Sequence, residues 1–88
     1  MILTTAQYTV DTTAVQILAT NEVTRQVNIH CIGNDDVYLG PTSDVTTSTG
    51  FHLDKNSGVF QIELDANDEL WAISATGSQT VTVMQITL

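Results

Sequence analysis

The sequence predicts an all-β protein, and three observations carry that prediction. The 88 residues include fifteen threonines, nine valines and seven isoleucines, whose β-branched side chains pack well on a pleated sheet but lose rotamer freedom in a helix. Strand-like segments recur at short, regular intervals, and clusters of Gly, Asn, Asp and Ser separate them. We therefore expect one domain over residues 1–88, folded as a small antiparallel β-sandwich or jelly-roll-like barrel of about eight short strands.

Eight segments carry the strand signal. Each is rich in β-branched or aromatic residues, and polar turn residues stand between them, as at 33–36 and 76–79. The predicted strands are 2–10, 14–19, 25–32, 36–40, 51–53, 59–64, 69–75 and 80–88.

The alternation of apolar and polar side chains predicts part of the core. In segments 25–32 and 59–64 an apolar residue is followed by a polar one over most of the length. Side chains two residues apart on a strand point to the same face, so the apolar set of each strand should face inward. The side chains that we expect to be nearly fully buried are Val27, Ile29, Phe60 and Ile62.

The last two predicted strands carry apolar side chains on both faces. A sandwich buries one face of each strand, so the second face needs another cover. Either the first strand of the chain folds over it, or a second copy of the chain covers it. We favour association, because so short a chain has a small core and its single cysteine, Cys31, cannot form a disulfide within the chain. The predicted interface of this homo-oligomer is Trp71, Ile73, Val81 and Val83, or their opposite neighbours on the same two strands.

Residues 41–50, PTSDVTTSTG, form a low-complexity segment that predicts a flexible polar loop. One interpretation is a solvated connection between strands. The other is an arm that contacts a partner, since exposed loops on a rigid sheet commonly carry recognition. The predicted contact residues of such an arm are Thr42, Asp44, Thr46 and Thr47.

The charge balance restricts the partners. Ten acidic residues stand against Arg25 and Lys55, which gives a net charge of −8 at pH 7. Such a chain repels a phosphate backbone, so we expect no nucleic acid partner. No apolar run approaches the ~20 residues that cross a bilayer, so no membrane partner is expected. The first residues lack the basic segment of a signal peptide, which predicts synthesis in a cytoplasm.

The sequence gives little support for a catalytic site or a metal-binding site. His30 and Cys31 are adjacent on a predicted strand, so their side chains should point to opposite faces. His52 is expected to face outward. The acidic runs at 35–36 and 65–69 offer oxygen ligands that suit calcium, but Asp and Asn are also ordinary turn residues. We therefore predict no enzyme, no catalytic residue, no metal and no cofactor.

Four short motifs in the C-terminal half follow one another in a recognisable order. They are Tyr38-Leu39-Gly40, then Val45-Thr46 in the threonine-rich loop, then Gly50-Phe51, then Leu70-Trp71-Ala72-Ile73. Over residues 37–88 this order resembles that of small virion proteins of tailed bacteriophages. The motifs describe turns and strands, and no functional residue is carried over from that family.

The resemblance implies a structural role in a phage particle. It implies a capsid decoration or cement protein that binds the major capsid protein, or another virion protein, on the outer capsid surface after synthesis in the host cytoplasm. A homotrimer would match a local three-fold axis of a shell, so that three weak contacts act together. The alternative is a head-fibre, tail or baseplate accessory module, which could bind carbohydrate through Trp71 with Tyr38 or Tyr8.

Overall fold

Eight β-strands form two four-stranded antiparallel sheets. The computed structural model describes residues 2–19, 23–33, 35–54 and 58–87. The strands are β1 (Ile2–Val10), β2 (Val15–Leu18), β3 (Arg25–Cys31), β4 (Val37–Gly40), β5 (Phe51–Leu53), β6 (Phe60–Leu64), β7 (Leu70–Ser74) and β8 (Gln79–Thr87). Sheet A has the strand order β1-β8-β3-β6, and sheet B has the order β2-β7-β4-β5.

The predicted sandwich is confirmed, and the barrel alternative is wrong. Every predicted strand exists with ends within one residue of those expected, except that residue 88 lies outside the described residues. In the described part of the chain the two sheets share no strand, so the sandwich does not close into a barrel. The strand order is that of a jelly roll, because successive strands alternate between the sheets except at the β4–β5 hairpin.

The core lies between the two sheets and is built from inward-facing side chains of both. Val27 and Ile29 of β3 are 0% exposed, as predicted from alternation. The prediction of near-complete burial for Phe60 and Ile62 is wrong, because both are only half-buried. They do face inward and pack against the core, but β6 is an edge strand of sheet A, so one flank of each side chain stays open.

The structure resolves which face of the last two strands is buried. Leu70 and Ala72 of β7 face the core, whereas the neighbouring side chains of β7 lie on the outer face of sheet B. On β8 the inward residues are Val81 and Val83, and Met84 lies outside. Both strands sit in the middle of their sheets, and the inward set of each completes the core.

One cation, Arg25, is buried at the first position of β3. Its side chain is 2% exposed, and the two terminal nitrogens donate hydrogen bonds to backbone carbonyls of different connections. Nη1 donates to the Ala19 carbonyl at 2.8 Å, and Nη2 donates to the Asp68 carbonyl at 2.7 Å. The guanidinium therefore joins the connection before β3 to the turn before β7. Asp68 in that turn is 43 residues from Arg25 along the chain.

We call the two hydrogen bonds of the Arg25 guanidinium a clasp, and substituting Arg25 tests whether this clasp stabilises the fold. Arg25→Met keeps most of the aliphatic volume but removes both donors, and we expect the free energy of unfolding to fall by about 1–3 kcal/mol. Arg25→Lys should not restore it, because one ammonium cannot hold the two carbonyls as a planar guanidinium does. Urea denaturation monitored through Trp71 measures both variants. A fully stable Arg25→Met protein would show that the clasp does not stabilise the fold.

Candidate functional site

The four residues predicted to form an oligomer interface lie in two different places. Trp71 and Ile73 are half-buried on the outer face of sheet B, where a partner could reach them. Val81 and Val83 face the core and are 0% and 4% exposed, so they offer no surface to a partner chain. Including the two valines was therefore wrong, since alternation could not tell which apolar face of β8 points inward. An interface at Trp71 and Ile73 stays a prediction.

The outer face of sheet B carries an aromatic and acidic patch. The Trp71 indole Nε1 donates a hydrogen bond to Glu69 Oε1 at 2.5 Å, which fixes the ring over its own strand. The rings of Tyr38 and His52 stack with centroids 5.0 Å apart and an angle of 23° between their planes. The imidazole Nε2 of His52 lies 2.7 Å from Asp36 Oδ2. The patch is thus organised by contacts within the sheet.

The loop at residues 41–50 is held to this same face by one side chain. Val45 is only 6% exposed, and it lies so close to Gly40 that a Cβ added to that glycine would come within 2.5 Å of the valine Cβ. A Cβ on Gly50 would likewise lie 2.9 Å from a Val45 methyl group. The two glycines are therefore required by packing, and the loop closes over them.

Hydrogen bonds give the loop two turns. The Val45 amide donates to the Thr42 carbonyl at 3.2 Å, and the Gly50 amide donates to the Thr46 carbonyl at 2.8 Å. The predicted contact residues Thr42, Asp44, Thr46 and Thr47 are all exposed. Their contact with a partner stays a prediction.

A cleft opens where the edges of the two sheets meet beside β5 and β6. It has a volume of about 510 Å³ and is lined mainly by apolar side chains. Phe51 is 57% exposed, and its ring lies 5.0 Å from that of Phe60. The three-residue strand β5 is too short to cover the inner face of β6, which leaves the sandwich open on this side.

The opposite edge of sheet A is β1, the first strand of the chain. Its register with β8 is continuous over nine residue pairs, and among the described residues it pairs with no other strand. Ile2 and Leu3 point to opposite faces of the sheet and are 63% and 61% exposed. The sequence analysis considered this strand only as a possible cover for the last two strands, and it did not predict an open edge. The adjacent apolar residues Ile2 and Leu3 were a signal, because a strand cannot bury both of two neighbouring side chains against one core.

The structure does not bring Cys31 and His30 together. The Cys31 thiol is buried and donates to the Asp35 carbonyl at 3.4 Å, while His30 lies on the other face of the same strand. The Asp68 carboxylate accepts a hydrogen bond from the Asp65 amide at 3.0 Å, so it caps its own turn. Within the described ranges no three His, Cys, Asp or Glu side chains form a group that could hold a metal ion. No helix in those ranges is long and apolar enough to cross a membrane.

Comparison with known proteins gives one informative result. The chain matches no family model and no curated protein. Among solved structures it is similar to a protein of Bacillus endospore appendages, which are described as a novel family of disulfide-linked pili. The similarity covers 99% of this chain and 86% of that chain, with a TM-score of 0.65 and 16% sequence identity. At that identity the similarity shows a shared fold.

The resemblance to bacteriophage virion proteins is wrong. The fold matches a pilus protein over nearly its whole length, which overturns the role in capsid decoration, the head-fibre, tail or baseplate alternative, and the location on an outer capsid surface. The trimer and the major capsid protein partner also find no support in this comparison. The motifs behind the resemblance have a local cause, because Gly40 and Gly50 make room for Val45.

The anchoring of the loop can be tested at Val45. Val45→Ala removes the methyl groups that pack on Gly40 and Gly50, so residues 41–50 should lose protection. We expect amide hydrogen exchange at Gly50 to accelerate at least tenfold while exchange in β3 stays unchanged. Thr47→Ala, an exposed change in the same loop, is the matched control and should leave the exchange rates as they are. Equal rates in the two variants would contradict the anchoring role.

Proposed function

We propose that this chain is a structural, non-enzymatic subunit that associates with copies of itself to form a surface fibre. The observation that carries the proposal is the unprotected edge of β1. Soluble sandwiches usually blunt such an edge with lysine, proline, a bulge or a very short strand. The β1 sequence ILTTAQYTV is nine residues long, contains no charged residue and no proline, and pairs without a bulge.

The geometry of sheet A supports open-ended assembly. Its two edges are β1 and β6, and each neighbouring pair of strands between them is antiparallel. Three successive reversals mean that β1 and β6 run in opposite directions. A second copy placed by simple translation would therefore set its β1 antiparallel to the first copy's β6. Such a contact joins two different surfaces and leaves both outer edges free, which is the arrangement that produces filaments.

The similar structure supports the same class of function. That protein comes from Bacillus endospore appendages, described as pili, and pili are polymers of a subunit. A polymer subunit needs edges and faces that bind copies and does not need a cleft with catalytic groups. The shared fold and the open edge strand are therefore consistent with one role.

The described pili are linked by disulfides, which the cysteine content of these 88 residues does not support. A subunit linked by disulfides to a neighbour on each side needs two accessible cysteines. The 88 residues contain one, Cys31, which is 1% exposed in the core. We propose that contacts made by these residues are non-covalent, through backbone pairing and apolar burial.

Blocking the β1 edge tests the proposed polymer. Ala6 is exposed and lies in the middle of β1, so Ala6→Glu places a charge at the edge and should prevent a second copy from pairing. Ala66→Glu makes the same exchange in an exposed turn, and this control should assemble like the unchanged chain. Electron microscopy and light scattering over a concentration series measure assembly. The proposal fails if the unchanged chain stays monomeric, or if both variants form equal fibres.

The non-covalent character makes a separate prediction. Fibres formed by the 88 residues should persist in excess dithiothreitol, because no disulfide between copies holds them. Cys31→Ala should also still assemble, since the thiol serves only as a small core side chain. Light scattering before and after reduction measures the result. Dissolution of the fibres by the reductant would instead assign a covalent role to Cys31.

A further inference from the structure

The outer face of sheet A is a broad surface built from the outward side chains of β1, β8, β3 and β6. One row across it consists of Thr5, Met84, Asn28 and Gln61, which the strand registers place side by side. The neighbouring rows are Leu3, Ile86, Gln26 and Glu63 on one side, and Gln7, Thr82 and His30 on the other. We call this surface the neutral face.

The neutral face is nearly free of charge in a strongly acidic protein. Nine of the ten acidic residues lie in the described ranges, and eight of those nine are in turns and connections. The remaining one, Glu63 on the edge strand β6, is the single carboxylate of the neutral face. The other ionisable side chain on this face is His30 of β3. The neutral face thus carries one of the nine carboxylates in the described ranges, although the net charge of the chain is −8.

The same face carries most of the exposed apolar surface. Seven large apolar side chains are exposed among the described residues. Strand alternation places Leu3 and Met84 on the neutral face. Ile32 directly follows β3 and Val59 directly precedes β6, and the same alternation continued by one residue puts both at the border of this face. Val59 and Met84 line a shallow groove of about 650 Å³ together with polar side chains that include Asn28 and Thr82. Exposed apolar side chains within a neutral, hydrogen-bonding surface are the composition of a protein interface.

We propose that the neutral face packs against the neutral face of a second copy of this chain. The inference rests on the proposed fibre and deepens it by adding a lateral contact to the contact at the sheet edge. Two copies that each carry −8 repel one another wherever acidic surfaces meet, and this repulsion favours contact through a surface with few carboxylates. A face paired with itself is an isologous contact, which needs one surface only.

The size of the face indicates how strong one such contact is. The four strands, of nine, nine, seven and five residues, lie about 4.8 Å apart and rise about 3.4 Å per residue, so the face covers roughly 500 Å². Pairing two faces then buries on the order of 1,000 Å² in total, which is at the lower limit of about 1,000 Å² for a specific interface. One contact is therefore weak. Repeated along a fibre, many such contacts act together through effective concentration.

A charge in the middle of the face tests the proposal. Met84 is 41% exposed in the central row, so Met84→Glu should oppose two copies of the same charge across the contact. Gln16→Glu is the matched control, because Gln16 is exposed on sheet B and the change also adds one negative charge. We expect Met84→Glu to leave fibre formation intact and to reduce fibre width to that of a single row of subunits. The Gln16→Glu fibres should keep the width of the unchanged ones.

A second measurement separates this contact from the edge contact. In the Ala6→Glu background, where the edge is blocked, sedimentation equilibrium should still detect a weak dimer, and Met84→Glu should weaken it at least tenfold. Raising the salt concentration should strengthen the dimer by screening the repulsion between copies.

Two outcomes would overturn the inference while leaving the proposed function standing. One is fibres of equal width from Met84→Glu and the unchanged chain, and the other is a loss of width in Gln16→Glu instead. A failure of the proposed function has a different signature, because the unchanged chain would then form no fibres at any concentration. A weak dimer that is lost in Met84→Glu would in that case still support the neutral face.

Discussion

The mismatch between the two sheets is the constraint on which the other surface features depend. In sheet A, β1 and β8 have nine residues each, whereas β2 and β7 of sheet B have four and five. The smaller sheet cannot cover the inner face of the larger one. Its shortfall leaves Ile2 exposed at one edge and Phe60 half-buried at the other. The exposure of Ile2 and the cleft beside β5 are two results of one difference in strand length.

Most of the acidic residues in the described ranges lie in the connections and not in the strands. Asp11, Asp44 and Asp65 all lie outside the strands, and Asp65 and Asp68 are hydrogen-bonded within one turn. The buried guanidinium of Arg25 binds carbonyl groups of two connections from inside the molecule. Apart from Glu63, His30 and His52, the outward side chains of the described strands are hydroxyl, amide, aromatic or apolar. This arrangement lets flat surfaces of an acidic protein approach one another.

Alternation and turn chemistry were sufficient to predict the strands and much of the core. Val27 and Ile29 sit where alternation puts them, because β3 is a central strand with polar residues on its other face. The prediction failed at Phe60, since an edge position depends on the order of the strands and no local pattern encodes that order. It failed at Val83 for a different reason. Both faces of β8 are apolar, so its sequence leaves the inward direction undetermined until β3 and β1 are placed beside it.

The misleading family resemblance also has a physical explanation. The glycines in Tyr38-Leu39-Gly40 and Gly50-Phe51 are needed because Val45 packs into the space beside them. The spacing of these residues therefore reflects how this loop closes over the β4–β5 hairpin, which is a requirement of packing and not of function. The edge of β1, on which the proposal of a fibre rests, lies outside the region that the resemblance covered.

The opposite directions of β1 and β6 have a consequence for the proposed fibre as a whole. A row of subunits joined edge to edge ends in a free β1 on one side and a free β6 on the other. The two ends are then chemically different, since one presents ILTTAQYTV and the other FQIEL with its carboxylate. Such a row has polarity, so its two tips differ in the rate at which they add subunits. An anchor that recognises one of these strands would fix which tip stays at the surface and which tip grows away from it.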